Sequence, residues 1–137
     1  MTGSRPKAGA NVVDSSAWLE YLANGPNAGE FAPAIETLER LVVPALVITE
    51  VLRRLDAQGR QEVVPEVLAH MRQGRIIVFD DCLAAEAAVV GRRHGLALAD
   101  SVVYATALAV EGVVWTQAED FQPLPHVEYR TRAKKKP

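Results

Sequence analysis

Acidic residues of this chain recur at one kind of place, at the carboxyl end of a predicted strand or near the start of a predicted helix. They are Asp14, Glu50, Asp100, Glu119 and Asp120. Asp14 directly follows the β-branched run 11–13, and Asp120 comes shortly after the run 113–116. Because ligands of parallel α/β folds bind beyond the carboxyl ends of the strands, we expect these carboxylates to share one edge of a sheet.

Carboxylates that converge in one cleft need a partner of opposite charge. Two of them about 4 Å apart repel by roughly 4 kcal/mol at an effective dielectric constant near 20. One of them must then take up a proton, or a divalent cation must join them. Oxygen ligands without histidine or cysteine favour a hard ion, here Mg²⁺ or Mn²⁺. Such an ion can activate water and neutralise a phosphate, so the pattern predicts metal-assisted hydrolysis of a phosphodiester.

Each acid also has an ordinary structural interpretation. Asp14 and Asp100 could be helix N-caps whose side chains accept hydrogen bonds from free backbone amides. Glu50 could pair with Arg54 one helical turn later, which contributes only tenths of a kcal/mol. Asp120 could cap a short turn. Separate caps, however, have no reason to recur at one edge of a sheet after successive strands.

Other catalytic motifs are missing from the sequence. It contains no glycine-rich phosphate cradle and no G-x-S-x-G elbow, so the serines at 15–16 are poor candidates for a nucleophile. His70, His94 and His126 are isolated, and we expect them at surface or capping positions. The single cysteine, Cys82, excludes an intramolecular disulfide and disfavours a structural zinc site. We expect it to be a small packing residue at a helix start.

Short β-branched runs alternate with longer patterns of helical period. Strands are predicted at 11–14, 42–44, 75–79, 113–116 and 127–130. Helices are predicted at 15–23, 46–57, 62–73, 82–94 and 101–110, with one more through Phe31, Ile35 and Leu38 that ends near Leu41. Strands separated by helices require crossover connections, which favour a mainly parallel sheet. The predicted fold class is therefore α/β, with a small sheet between two helical layers.

Length and composition indicate a single globular domain. The chain has 137 residues, of which 49% are apolar and 23% charged, and this balance excludes intrinsic disorder. We place the domain at residues 11–130, between a flexible arm at 1–10 and a basic tail at 131–137. No apolar run approaches the roughly 18–20 residues of a membrane span, so no membrane partner is expected. Residues 11–129 contain 17 acidic and eight basic residues, a net charge of −9, which disfavours simple electrostatic binding of nucleic acid.

Four stretches of the sequence resemble the PIN-domain ribonucleases, and most closely the VapC-type toxins of bacterial type II toxin–antitoxin pairs. They are VVDSSAWLEYL at 12–22, PALVITEVLRRL at 44–55, LALADSVVYATAL at 96–108 and VVWTQAEDF at 113–121. With the helices between them, the resemblance covers roughly residues 11–128. It implies a small parallel-sheet fold, dependence on Mg²⁺ or Mn²⁺, and endoribonuclease activity.

The resemblance also implies roles for single residues. Asp14 matches the first metal aspartate of the family, Glu50 its helix glutamate, and Asp100 the aspartate that opens the later helix. These three would be the catalytic residues and metal ligands. Ser16 matches a small hydroxyl residue that orients metal-bound water, and Thr116 matches the threonine after the fourth strand.

One position departs from the pattern T-x-D-x-D-F that the family usually shows. The second residue after Thr116 is Ala118, where an acid is usual. Asp120 matches the later acid of the pattern. We predict that Asp120 or Glu119 partly replaces the missing metal ligand.

Partners follow from the same resemblance. The chain would cleave single-stranded RNA, leaving 5′-phosphate and 3′-hydroxyl ends, and a cognate antitoxin would inhibit it in the bacterial cytoplasm. The apolar groove for the antitoxin would involve Leu46, Val51, Leu52, Leu55, Val64 and Leu68. Basic residues that could offset the acidic body near RNA are Arg53, Arg54, Arg92, Arg93 and the tail 130–136. A homodimer is expected, or a heterotetramer or larger assembly with the antitoxin. The alternative is a catalytically weak PIN-like module that binds protein or RNA.

Overall fold

The computed structural model describes residues 9–133 of the chain, which form a sheet of five strands and six α-helices. The strands are β1 (Asn11–Val13), β2 (Leu41–Pro44), β3 (Arg75–Ile77), β4 (Val113–Thr116) and β5 (Val127–Tyr129). The helices are α1 (Ser15–Leu22), α2 (Ala28–Glu36), α3 (Ala45–Ala57), α4 (Val64–Met71), α5 (Asp81–His94) and α6 (Leu98–Ala109). Two short 3₁₀ helices lie at Gln61–Val63 and Glu119–Phe121.

All strand pairings are parallel, and the strand order is β3-β2-β1-β4-β5. The chain therefore runs outwards from β1 to β3 and then returns to the other side of β1 with β4. This reversal places a topological switch point between β1 and β4, where open parallel sheets bind their ligands. The predicted α/β fold with a small parallel sheet between helical layers is confirmed.

Burial is deepest in the central strands and in α6. Val12 and Val13 of β1 have no exposed surface, and the seven residues from Ser101 to Ala107 of α6 are all buried. A helix buried on every face must lie inside the domain rather than on it. α6 contacts β1, β2 and β4 directly, while α5 covers its outer side. One continuous core therefore holds the carboxyl ends of the strands in place.

Three predicted helix boundaries were wrong. α2 ends at Glu36, and Leu41 is the first residue of β2, paired with Asn11. The Thr37 hydroxyl donates to the Pro33 carbonyl (2.7 Å) as the helix ends, so the helical spacing of Leu41 was coincidental. α6 begins at Leu98, three residues before the predicted start. The predicted helix 62–73 divides into a 3₁₀ turn and a shorter α4.

Strand β3 is also shorter than predicted, because it ends at Ile77 and leaves Val78 and Phe79 exposed. Other boundaries agree closely with the sequence analysis: β4 spans the predicted residues, and Gly95 ends α5 in the left-handed conformation (φ 66°). Of the predicted arm at 1–10 and tail at 131–137, only residues 9–10 and 131–133 lie within the described part of the chain. None of the helices in residues 9–133 has the length and apolar character needed to cross a bilayer.

Candidate active site

Asp14 lies at the switch point of the sheet, in the residue that joins β1 to α1. It is the N-cap of α1, where its Oδ1 accepts a hydrogen bond from the backbone amide of Ala17 (3.1 Å). Ser16 Oγ donates to the same oxygen (2.7 Å), and Thr116 Oγ1 donates to Oδ2 (2.7 Å). The predicted capping role of Asp14 is therefore confirmed. A cap on the surface would be solvated, however, and Asp14 is only 4% exposed.

The two hydroxyls that hold Asp14 are themselves oriented by the backbone after β4. Gln117 donates its amide proton to Ser16 Oγ (2.9 Å), and Ala118 donates its own to Thr116 Oγ1 (2.8 Å). Since each hydroxyl accepts from an amide, its single proton is free to point at the carboxylate. The network fixes the Asp14 carboxylate between the ends of β1 and β4.

Glu50 and Asp100 approach Asp14 from two different helices. Glu50 is the sixth residue of α3 and Asp100 the third of α6, and both side chains are partly buried. Burial raises the pKa of Asp14, although its hydrogen bonds with Ser16, Thr116 and Ala17 oppose the rise. Burial and then the charge of Asp14 raise the pKa of Glu50, against the effect of a hydrogen bond to Ser15.

Asp100 shows the strongest crowding of negative charge. Burial, followed by the charges of Asp14, Asp120 and Glu50, raises its pKa to about 6. Four predicted site acids from four parts of the chain therefore lie within electrostatic range of one another. A cleft of this kind favours a bound cation or a bound proton. The roles of these acids in catalysis and metal binding stay predictions.

Three of the ordinary interpretations do not hold in the structure. Asp100 is not an N-cap, because α6 starts before it and is capped at Ala97 without a side-chain bond. Glu50 does not pair with Arg54 in any ion pair found within residues 9–133. Asp120 lies inside the short 3₁₀ helix rather than at its cap, which is Ala118. Glu50, Asp100 and Asp120 are thus not accounted for by local helix chemistry.

The donor set fits a hard divalent ion, since every candidate ligand atom is a carboxylate oxygen. The oxygens of Asp14, Glu50 and Asp100 do not all lie within 4.8 Å of one another. Mg²⁺ usually keeps several of its water ligands. Carboxylates can hold the hydrated ion through these waters, so their oxygens need not lie as close together as direct ligands do. Convergence of these three acids on one ion remains a prediction.

A different acidic cluster meets the 4.8 Å criterion among the described residues, at the start of α5. It consists of Asp80, Asp81 and Cys82, all of them exposed. The prediction that Cys82 packs at a helix start is half wrong, because the residue begins the helix but faces solvent. Asp80 caps α5 by accepting from the amide of Leu83 (2.8 Å).

Two of the three histidines, His70 and His94, lie partly exposed in the last turns of α4 and α5 and pack against aromatic rings. The ring of His70 packs edge-on against Trp18 with centroids 5.4 Å apart, and His94 packs in the same way against Tyr104 at 5.4 Å. His126 is exposed, in the left-handed region with φ 63°. None of them belongs to the acidic cleft.

Gln117 was missed by the sequence analysis. It is 2% exposed, and its Oε1 accepts from Asn27 Nδ2 (2.6 Å) while its amide orients Ser16. A polar residue directly after a buried strand, at the edge where the site was expected, is the signal that could have found it.

The model of the PIN domain family matches residues 12–126. This match spans most of the chain, and the protein belongs to the PIN domain family, whose members are generally nucleases. The predicted family is confirmed. No curated protein sequence gives a significant match.

Solved structures with the same fold come from bacteria and an archaeon. A toxin–antitoxin complex from Klebsiella pneumoniae aligns with a TM-score of 0.76 and 16% identity, covering 91% of this chain and 100% of that one. PAE2754 from Pyrobaculum aerophilum aligns with a TM-score of 0.70 and 20% identity, over 90% and 91% of the two chains. VapBC2 from Rickettsia felis, solved with a promoter DNA fragment, aligns with 0.63 and 13% identity over 88% and 97%. At these identities the likeness establishes the fold.

Proposed function

We propose that this protein is a Mg²⁺- or Mn²⁺-dependent endoribonuclease, the toxin of a VapC-type toxin–antitoxin pair. The observation that supports this most directly is the electrostatic proximity of Asp14, Glu50 and Asp100: burial raises the pKa of all three, and the charge of Asp14 further raises those of Glu50 and Asp100. A cation beside these carboxylates would relieve the repulsion and draw the phosphate of a nucleic acid to the cleft. The similarity to structures from toxin–antitoxin complexes supports the toxin assignment.

In this proposal Asp14 is the fixed ligand, because three donors hold both of its oxygens in place. Asp100 provides the second ligand, and Glu50 either completes the set or accepts a proton from the attacking water. When bound, the ion supplies positive charge that acidifies a water molecule and stabilises the phosphate. Ser16 and Thr116 are positioning residues, since they act on the substrate only through Asp14. Asp120 takes part of the role that Ala118 leaves open. Cleavage would leave 5′-phosphate and 3′-hydroxyl ends.

Cleavage of a long single-stranded RNA by the purified chain, with Mg²⁺ and with EDTA, tests the proposal. Asp14→Asn and Asp100→Asn should each reduce the metal-dependent rate by at least about 100-fold, since each removes charge that stabilises the transition state. Asp81→Asn is the matched control, an exposed acid at the start of a different helix. Full residual cleavage by Asp14→Asn would assign the activity to a contaminant or another site.

The antitoxin partner is supported by an apolar groove of about 220 Å³ between α1, α3 and α4. Its apolar lining consists of Leu19, Leu22, Ala23, Leu55, Val63 and Val67. Of the residues predicted from the sequence for the antitoxin groove, Leu55 lines this one, and Val51 is fully buried in the core. Coexpression with the product of an adjacent short gene should suppress the ribonuclease activity, and Leu22→Glu should release it.

A second copy of the chain is the further partner we propose. Phe79 and Leu98 are 51% and 78% exposed and line one groove beside α5. α5 carries acids at its start and Arg92 and Arg93 in its last turn, so two copies in antiparallel contact would match opposite charges. Light scattering should give a dimer mass that Leu98→Glu reduces to a monomer. An unchanged mass in this variant would exclude this surface.

A catalytically weak binding module is the second candidate function. Ala118 favours it, because an aliphatic residue stands where the family usually has an acid. The same cleavage assay separates the two functions: metal-independent RNA binding without cleavage would support the binding module. We expect either form to act in the bacterial cytoplasm.

A further inference from the structure

Two open grooves lie beside the acidic cleft, and both are lined by Ser15, Leu19 and Arg54. The larger, of about 510 Å³, runs along α3 past Glu50. The smaller, of about 360 Å³, is also lined by Ser16, Gln117 and Arg132 and is called the tail groove below. Since Ser16 and Gln117 belong to the network around Asp14, the tail groove begins at the candidate active site.

Two hydrogen bonds fix the chain that carries Arg132 against this site, and a third joins the bridging residue Asn27 to Gln117. Arg130 donates its backbone amide to the Thr116 carbonyl (2.9 Å), which continues the pairing of β5 with β4. Asn27 Nδ2 donates to the Thr131 carbonyl (2.9 Å) and to Gln117 Oε1 (2.6 Å). Arg132 directly follows this hydrogen-bonded segment, so the segment determines the position of Arg132 at the tail groove.

Arg130 itself is engaged elsewhere. Its guanidinium forms ion pairs with Glu30 (2.8 Å) and Glu128 (3.2 Å) and lies over the ring of Trp115, 5.5 Å from the centroid. Arg54 and Arg132, in contrast, take part in none of the ion pairs found within residues 9–133, and both are exposed. Their positive charges are available to a ligand.

One acid, Glu20, also lines the tail groove. Its Oε2 accepts a hydrogen bond from the backbone amide of Asn27 (2.6 Å), so this carboxylate already has a partner. Two arginines against one engaged glutamate leave the groove with an excess of positive charge, in a domain whose body is acidic. Guanidinium groups bind phosphate oxygens through paired hydrogen bonds, with geometry that an ammonium group does not match.

We propose that Arg54 and Arg132 bind a backbone phosphate of single-stranded RNA next to the phosphate that is cleaved. This inference rests on the proposed ribonuclease function and deepens it, because it assigns the direction in which the substrate leaves the cleft. The RNA backbone runs from Asp14 past Ser16 into the tail groove, between α3 and the segment after β5. Arg92 and Arg93, which the sequence also offered, lie on α5, where Arg92 lines another groove.

The test compares Arg54→Ala, Arg132→Ala and their double variant with Arg72→Ala/Arg75→Ala as control, two exposed arginines that line neither groove. A fluorescein-labelled RNA 12-mer of mixed sequence is titrated at several salt concentrations, in an Asp100→Asn background with Mg²⁺ so that it stays intact. Each tail-groove substitution should weaken binding about tenfold and reduce the slope of log affinity against log salt by about 0.7. The control should leave the slope unchanged.

Steady-state cleavage without the Asp100 substitution gives the second measurement. The tail-groove variants should raise KM about tenfold while kcat changes less than about twofold, because the arginines bind the ground state and transition state alike. Arg54→Lys should keep the salt slope and lose part of the affinity. An unchanged slope in the double variant, or an equal loss in the control, would overturn the proposal. RNA binding that depends on these arginines without any cleavage by the wild-type chain would leave the subsite standing and contradict the ribonuclease function.

Discussion

Two aspartates of this molecule cap helices in the same way but differ in their burial and in the strand that precedes them. Asp14 and Asp80 both have extended backbone and both accept a hydrogen bond from the amide three residues later, Ala17 in α1 and Leu83 in α5. Asp14 follows the central strand β1 and is buried, whereas Asp80 comes after the edge strand β3 and is exposed. The comparison teaches that local sequence determines a cap, and that strand order determines whether the cap also lies in a site.

Metal binding should show the largest difference between the two helix starts. Asp14→Asn should weaken Mn²⁺ binding by at least about 100-fold. Loss of a group that only supports a metal ligand weakens affinity by about 10- to 100-fold, and Asp14 is proposed as a direct ligand. Asp80→Asn should leave the affinity unchanged, although Asp80 belongs to the tighter cluster of acids. Calorimetric titration of the metal-free protein measures both. Loss of affinity in the Asp80 variant alone would reverse the assignment of the site.

Substitutions at the two helix starts should also differ in how much they lower the free energy of unfolding. Thr116→Val leaves a buried oxygen of Asp14 and the amide of Ala118 without their partner, which should lower the free energy of unfolding by about 1–3 kcal/mol. Asp80→Ala removes a solvated cap and should cost only about 1 kcal/mol. Urea unfolding in EDTA gives both values. Equal losses would mean that burial does not distinguish the caps.

The free energy of unfolding of the metal-free protein should depend on pH through the acidic cleft that contains Asp100. The pKa of Asp100 is about 6 in the folded protein against an ordinary 3.8, so the folded state holds this proton where the unfolded state has lost it. The free energy of unfolding should therefore fall as the pH rises through this range, and the metal-free protein should be more stable at pH 5 than at pH 7. Solvent screening limits the difference to about 1 kcal/mol.

Thermal unfolding in EDTA as a function of pH checks this expectation. Asp100→Asn should flatten the profile, with the remaining slope due to Asp14 and Glu50, whose pKa values are raised in the same direction. Asp81→Asn should leave the profile as it is. A profile that rises towards pH 7 would contradict the crowding of charge in the cleft.

The smallest effect is expected at Asp120. This residue is exposed and contributes charge to the surroundings of Asp100, so Asp120→Asn should weaken metal binding only about threefold by the screened interaction of surface charges. Ala118→Asp is the complementary variant and should strengthen it. Unchanged affinity in Asp120→Asn would remove Asp120 from the site.

The sequence predicted most of what creates the cleft because strand patterns, caps and the helical period are local properties. The apolar runs around Asp14 and Thr116 identified β1 and β4, and the family resemblance placed Glu50 and Asp100 beside them. The start of α6 was predicted too late because Asp100 has the chemistry of a cap, and its true place inside the first turn depends on the packing of a buried helix.

Contacts between distant side chains could not be predicted in the same way. The link from Asn27 to Gln117 and Thr131 joins three loops whose relative positions follow only from strand order and from the pairing of β5 with β4. The exposed cluster of Asp80, Asp81 and Cys82 is the opposite case. Its members are close together because they are consecutive in sequence, and this proximity does not indicate a function.

The burial of α6 from Ser101 to Ala107 has a consequence for the control of the proposed activity. A helix that contacts three strands and is enclosed along seven consecutive residues should be among the last elements to open by local fluctuation. Asp100 directly precedes this enclosed stretch, so we expect its backbone to keep its place for as long as the domain stays folded. Restraint of the proposed activity is therefore expected from a molecule that covers the cleft.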